Sequence, residues 1–486
     1  MSTYPHLGPF GQMIGVHTYN VKTLGFTTPD DAAQERAIAS LTEAANKLVS
    51  HFPWLAGQVI NSDASPTSSG TFKIVPYPPH EGPAKFIHVK DRKELVQPYQ
   101  TILEAKAPLY LLDGRILSPG YGFPYMYPSA ENMPVFYAQV NLLKGGILLT
   151  VNAQHNTMDA NADSRIIKYF ARLCAGGEVT PEELKLGNAD RDTIFPSTTN
   201  GDELDKLEWF RVPSMLPFSP PWPPQYGNAP WHCFRIPASS IAALKDMAKS
   251  ATSTSSTNEA YTAPYFSTDD ILTALIWKHL VRSRALTSTA DTTSGAVRAV
   301  NGRPHFDPPL PAGYIGHAVT CVWTHIPLSE LLSLPLPSLA FALRKNLIED
   351  ASPHQLKSLV HLLRTTEDRT TINYGATMNL ETDLMVTSHV GHGIYEADFG
   401  AQSGLGKPDF VRRPNLPDGR GLAYLLPKGR DGSVDVVAGL FEGEVRELRE
   451  GVGSDEWERW VEYIGCSFAR TEFQDYGVPA QGVGLR

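Results

Sequence analysis

The chain has 486 residues, 42% hydrophobic and 19% charged, a globular composition and a length beyond what one compact core organises. Two domains, or two halves sharing a cleft, are therefore expected. Lys and Arg number 42 against 51 Asp and Glu, a net charge of −9, and no basic run appears, which argues against nucleic acid and anionic membrane as partners.

The N-terminus, Met-Ser-Thr-Tyr-Pro-His, lacks a charged segment followed by an apolar one, so no signal peptide is read. No apolar run is long enough to span a bilayer. Cys174, Cys233, Cys321 and Cys466 lie far apart without C-x-x-C spacing, so neither a zinc knuckle nor a disulfide framework is signalled. A reduced, cytoplasmic setting and a monomer are expected.

A strand region to about Val21 opens the chain. Thr28-Pro29-Asp30-Asp31 has the form of a helix start: a capping hydroxyl, a proline, then acids at the positive end of the dipole. Ala37, Ile38, Leu41, Ala44, Ala45, Leu48 and Val49 mark the apolar face that follows. Strands are expected at Gln58-Val-Ile, Phe72 to Val75 and Phe86 to Val89. The aromatic, proline-rich stretch from Pro108 to Pro134 is read as a packed loop or as part of an apolar ligand wall. Phe136 to Leu143 and Ile147 to Gln154 flank Lys144-Gly-Gly, a hairpin signal.

The stretch after that hairpin carries the chemistry. Ile147, Leu149, Val151 and Ala153 alternate, so they share one face of a strand. Ile166, Ile167, Phe170 and Leu173 recur at helical spacing. His155 sits between, where a buried strand stops and a helix begins. Imidazole, with an ordinary pKa near ~6.5, can take and return a proton at working pH. Asp159 follows after three intervening residues and can reach the imidazole, a neighbouring Arg, or the helix start as a cap.

Met215 to Pro224 is proline-rich and reads as the crossover between halves, placing one domain at 1–210, the crossover at 211–230 and a second domain at 231–486. Trp231 to Ile236 is expected as a strand, Ala238 to Lys249 as a helix, and Ser250 to Asn258 as a low-complexity surface loop. Ser267-Thr-Asp-Asp270 has the shape of a capping box opening a broadly apolar, buried helix from Ile271 to Val281. Strands follow at Val297 to Asn301, Ala318 to His325, Leu384 to Ser388, Leu422 to Leu426 and Val434 to Phe441. Helices are expected at Ser338 to Ile348, His354 to Arg364 and Ser454 to Ile464. The irregular alternation makes an α/β fold.

Other constellations weigh less. Asp398-Phe-Gly400 through Gly404-Leu-Gly406-Lys407-Pro408 is off the spacing of a phosphate loop, and Pro408 stands where Ser or Thr is needed, so a rigid glycine turn bracing a domain interface is expected. His389-Val-Gly-His392 lacks a convincing third metal ligand. Arg298 and Arg303, around the turn Asn301-Gly302, read as surface salt bridges. No Gly-x-Ser-x-Gly is present.

His155-x-x-x-Asp159 early and Asp398-Phe-Gly400 late, with those arginines between, resemble the BAHD superfamily of acyl-CoA-dependent acyltransferases, most closely its fungal trichothecene 3-O-acetyltransferase-like branch. Phe52-Pro-Trp-Leu-Ala-Gly57, Ser267 to Lys278, Val300-Asn-Gly-Arg303 with Gly313-Tyr-Ile-Gly316, Ser338 to Arg344 and Ala397 to Pro408 match in the family's order. Ala160, Ala401 and His389 depart from residues the family usually carries. Gln154 before His155 disfavours the peptide-synthetase condensation cousins.

The resemblance implies two chloramphenicol-acetyltransferase-like domains with mixed sheets and a solvent channel between them. It implies His155 as general base toward a hydroxyl or amine, and Asp159 as a structural support paired with Arg303. Asp398 and Gly400 would shape the channel from a distance. An acyl-CoA, most simply acetyl-CoA, is the implied co-substrate, with Ser267, Arg303 and Ser388 as candidate contacts. No permanent cofactor and no metal are implied. The small-molecule acceptor would be a fungal secondary metabolite. The alternative is a non-acylating cyclase or isomerase of a polyketide or terpenoid on the same fold.

Overall fold

Period-two apolar patterns and capped amphipathic segments sort the chain into two sheet-and-helix units. The computed structural model describes residues 4–78, 86–196, 204–216, 229–252, 265–284, 292–375, 378–414 and 419–466. Residues 217–228, which hold most of the proline-rich crossover, and residues 253–258 of the low-complexity loop lie outside them.

In the first half run β1 (Tyr19–Thr27), α1 (Asp31–His51), β2 (Gln58–Ser62), β3 (Thr71–Val75), β4 (Ile87–Asp91), α2 (Tyr99–Glu104), α3 (Gly114–Leu117), β5 (Met133–Pro134), β6 (Phe136–Leu143), β7 (Gly146–Gln154), α4 (Ala160–Cys174) and α5 (Pro181–Gly187). In the second run β8 (Trp231–Ile236), α6 (Ala238–Thr252), α7 (Thr268–Arg282), β9 (Thr293–Asn301), β10 (Val319–Pro327), α8 (Leu328–Ser333), α9 (Leu336–Asp350), α10 (Pro353–Thr365), β11 (Leu384–Ser388), β12 (Phe410–Arg412), β13 (Leu422–Leu425), β14 (Val434–Gly439), α11 (Glu442–Glu450), α12 (Ser454–Glu458) and β15 (Glu462–Cys466).

Both sheets are mixed. One has the order β12-β1-β7-β6-β4 and the other β10-β9-β11-β13-β14-β8-β15, with a small sheet β3-β2-β5 beside them. β4 runs parallel to β6, and β11 runs parallel to both β9 and β13. One apolar core gathers Ile147, Leu149, Val151 and Ala153 of β7 with Ile166, Ile167 and Phe170 of α4. A second core surrounds α7, where Ile271, Leu275 and Trp277 are fully buried. Among the described residues no helix is long and apolar enough to cross a membrane.

Three local expectations are corrected. Asp30, not Thr28, caps α1 by accepting from the Ala33 amide, while the Thr28 hydroxyl accepts from Gln34. The acid is the stronger acceptor and sits next to the first turn. The expected helix from Ser454 to Ile464 stops at Glu458, and Glu462–Cys466 instead pairs with β8 as an edge strand. Trp457 and Trp460 are buried, and the sheet edge claims the residues beyond them. Arg298 and Arg303 are buried, at 2% and 4% exposure, rather than on the surface.

The glycine turn before β12 does brace an interface. Phe399 enters the first-half core against Phe26 and Phe170. Gly400 has φ +85°, and a Cβ there would meet the Ala175 Cα at 2.6 Å, so the position requires glycine. The turn delivers β12, late in the sequence, to the edge of β1.

Candidate active site

His155 follows the last residue of β7, and its amide donates to the Thr18 carbonyl at 2.8 Å. The turn after it is tied by its own side chains. Asn156 Nδ2 donates to the carbonyls of Gly11 and Met13, and the Thr157 hydroxyl donates to the Gln154 carbonyl. Gln154 Nε2 in turn donates to Asn156 Oδ1. A polar run in a buried place thus spends its amides on fixing the backbone, and the His155 ring is left to face outward from the turn.

The ring faces a cavity of about 120 Å³ between the two halves. Met13, Gly15, Val16, Asn20, Phe123 and Ala160 line it from the first half. Ala299, His317, Val319, Cys321, Asn373, Tyr374, Met385, Thr387, His389, Arg413 and Tyr424 line it from the second. His155 Nδ1 is sealed with no acceptor outside its own residue, whereas Nε2 is not among the sealed atoms of this cavity-lining residue. The aromatic stretch expected as a packed loop or a ligand wall contributes Phe123 to that wall.

Burial lowers the His155 pKa from 6.5 to about 4, with the charges of Lys22 and Arg413 acting in the same direction. The residue's own carbonyl and the charge of Asp159 pull the other way. The ring is therefore a neutral proton acceptor at physiological pH.

Asp159 does not touch the imidazole. Its Oδ1 accepts from the amides of Asn161 and Ala162, which makes it the N-cap of α4. Its Oδ2 accepts from Arg303 Nη1 at 2.8 Å and from the Ala318 amide at 2.9 Å. Burial pushes its pKa up, but the Arg303 charge and these bonds hold it well below the usual carboxylate range. Arg303 also donates to Asn301 Oδ1 and to the carbonyls of Tyr314 and Gly316. Each of its three nitrogens is engaged inside the protein, behind the motif and away from the cavity lining. One buried ion pair thus ties the His155 turn of the first half to the β9–β10 connection of the second.

The other expected site residues are dispersed. Ser267 caps α7 and bonds Asp270 and Arg344. Ser388 ends β11, one residue past Thr387 of the cavity wall. Asp398 is exposed and accepts from the Gly400 amide. None of the four, Gly400 included, is among the residues lining the cavity. Sequence patterns missed His317, Asn373, Tyr374 and Arg413, which reach the cavity only through long-range packing. The His317 ring lies 4.9 Å from that of His155, and His389 stacks on His392 at 4.7 Å. Among the described residues no group of His, Cys, Asp and Glu could hold a metal ion.

These rings make an acid-sensitive core. Burial lowers His317 and His392 from 6.5 to about 3. Between those values and 6.5 the unfolded chain binds protons that the folded chain refuses. Stability is full above the unfolded pKa and is lost as pH falls toward the folded one, by about 1.4 kcal/mol per pH unit per histidine. Denaturant midpoints measured near neutrality and at about pH 5 are expected to differ by that slope; equal midpoints would mean that the rings protonate in place.

Comparison with known proteins agrees with this architecture. Residues 18–174 match the trichothecene 3-O-acetyltransferase-like N-terminal domain, and residues 123–453 match the Transferase family. The chain is 32% identical over 474 residues to the O-acetyltransferase azaD of Aspergillus niger, covering 95% of this chain and 98% of that one. It is 30% identical to the trichothecene 3-O-acetyltransferase TRI101 of Fusarium sporotrichioides over 92% of this chain and 94% of the relative. The crystal structure of F. graminearum TRI101 complexed with coenzyme A and deoxynivalenol superposes with a TM-score of 0.84 at 25% identity, covering 95% of this chain and 99% of that one. With its two mixed-sheet units meeting at His155, the chain belongs to the Transferase family of acyltransferases, in its trichothecene 3-O-acetyltransferase-like branch.

Proposed function

We propose that the chain transfers an acetyl group from acetyl-CoA to a hydroxyl of a small secondary metabolite, with His155 as general base. The observation that carries this is a neutral imidazole with one nitrogen open to a cavity walled by both halves. His155 Nε2 takes the proton of the acceptor hydroxyl. The oxygen attacks the thioester carbonyl, the carbon–sulfur bond breaks, and the imidazolium returns the proton to the CoA sulfur. No covalent enzyme intermediate is needed, and holding both substrates in one site replaces a two-body encounter.

Asp159 and Arg303 hold the turn that aims the ring. Ser267 and Ser388 stay the candidates for the CoA side, whereas Arg303, engaged at every nitrogen, serves as a brace. Asp398 and Gly400 act at a distance, by seating the turn that leads to β12. The relatives named O-acetyltransferases and the CoA-bound TRI101 structures support this reading over a cyclase or isomerase.

The test is CoA release, followed with a thiol reagent, from acetyl-CoA mixed with the protein and a panel of alcohols. Release that depends on the acceptor is the expected result. No binding of the thioester at all would favour the non-acylating alternative.

A further inference from the structure

Arg413 follows β12 and lines the same cavity as His155. It is only 6% exposed. A guanidinium so far from water ordinarily faces a carboxylate, because an uncompensated buried charge is costly. The neighbouring buried arginines obey that rule. Arg412 pairs with Asp435 at 2.7 Å, Arg298 with Asp270 at 2.7 Å and Arg303 with Asp159 at 2.8 Å.

Arg413 does not. Its Nη2 donates to the Phe123 carbonyl at 2.8 Å, and its guanidinium carbon stands 4.1 Å from the centre of the Tyr424 ring. The Tyr424 hydroxyl approaches the same Phe123 carbonyl. These contacts fix the plane of the group. Among the described residues no acceptor bonds its Nε or Nη1, yet neither is sealed off like the orphaned atoms elsewhere in the fold. Arg413 itself lines the cavity. Among the described residues no Asp or Glu lines that cavity, and its histidines are kept neutral by burial. Among the described residues the wall therefore holds one fixed positive charge and nothing of the opposite sign.

We propose that Arg413 seats an anionic oxygen of the acceptor, so that the acceptor class is a small alcohol or phenol carrying a carboxylate or an ionised enol beside the hydroxyl to be acylated. The proposal rests on the reading that the cavity at His155 takes the acceptor. A charge that develops only in the transition state would leave the guanidinium uncompensated in the ground-state complex. An anion present in the bound acceptor offsets its desolvation at once and orients the hydroxyl toward Nε2.

The probes are salicylate, whose carboxylate adjoins its hydroxyl, and methyl salicylate, the same ring and hydroxyl without the charge. Calorimetric titration of the full chain is expected to show salicylate bound about tenfold more tightly or better, the range of a charge-assisted hydrogen bond. Arg413→Gln is expected to abolish that preference and Arg413→Lys to keep part of it, with CoA binding by each variant as the check on its fold. The wild-type comparison decides even where the glutamine variant fails to fold. No preference in the wild type, an unchanged preference in Arg413→Gln, or displacement of salicylate by CoA would each overturn the proposal. Acceptor-dependent CoA release from neutral alcohols without any salicylate preference would defeat this inference and leave the proposed function standing. Salicylate preference without CoA release from any alcohol would do the reverse.

Discussion

Replacing His155 by alanine is expected to lower acetyl transfer by about 10²–10⁴-fold, the worth of a positioned general base, while the protein stays folded. The geometry predicts both halves of that result. The ring borders a cavity and its Nδ1 meets nothing beyond its own residue's carbonyl, so its removal breaks no network. The turn is held by Gln154, Asn156 and Thr157 instead. The loss belongs in kcat, with KM for acetyl-CoA little changed, since the imidazole acts on the acceptor proton in the transition state. A folded variant that keeps more than a tenth of the activity would rule His155 out as the base.

Asp159→Ala is expected to fail differently. It leaves Arg303 buried without its carboxylate, a loss of about 3–5 kcal/mol, and it removes the N-cap of α4, about 1 kcal/mol more. Soluble yield and the denaturant midpoint should fall along with turnover. Arg303→Ala leaves the converse orphan, and the double variant should lose less than the sum of the two, because one missing partner already breaks the pair. The sign of the pH effect separates this pair from the histidines. The folded pKa of Asp159 is depressed, so its contribution is present above the unfolded value of about 3.9 and is lost only as pH falls below that. Acid loss at higher pH belongs to the buried rings. Full stability with lost activity in Asp159→Ala would instead place the carboxylate in the chemistry.

What the sequence made legible was local. The Lys144-Gly-Gly hairpin, the strand-to-helix placement of His155 and the capping box at Ser267 each rest on neighbours a few residues apart, and each stands in the structure. Asp159 shows the limit. Its spacing allowed a helix cap, a bond to the imidazole or a brace on an arginine. The folded carboxylate is at once the cap and the brace, because its two oxygens face different halves of the molecule. Spacing cannot express that. The helix expected to reach Ile464 ends early because Glu462–Cys466 pairs with the edge of β8, a partner that local sequence does not reveal. His317 and Arg413 carry no motif of their own. His317 becomes a site residue through the β9–β10 connection of the second half, and Arg413 through β12, whose pairing with β1 carries it to the first sheet.

β12 has a further bearing on how ligands come and go. By order in the chain it belongs with the second lobe, yet its register, Thr23 with Arg412 through Gly25 with Phe410, stitches it to the first. Arg412 then reaches back to Asp435 in the opposite sheet. The lobes are sewn together by a strap buried on both sides, so they do not swing apart like the jaws of a clam. A cavity between lobes joined in this way stays closed along the margin that β12 occupies.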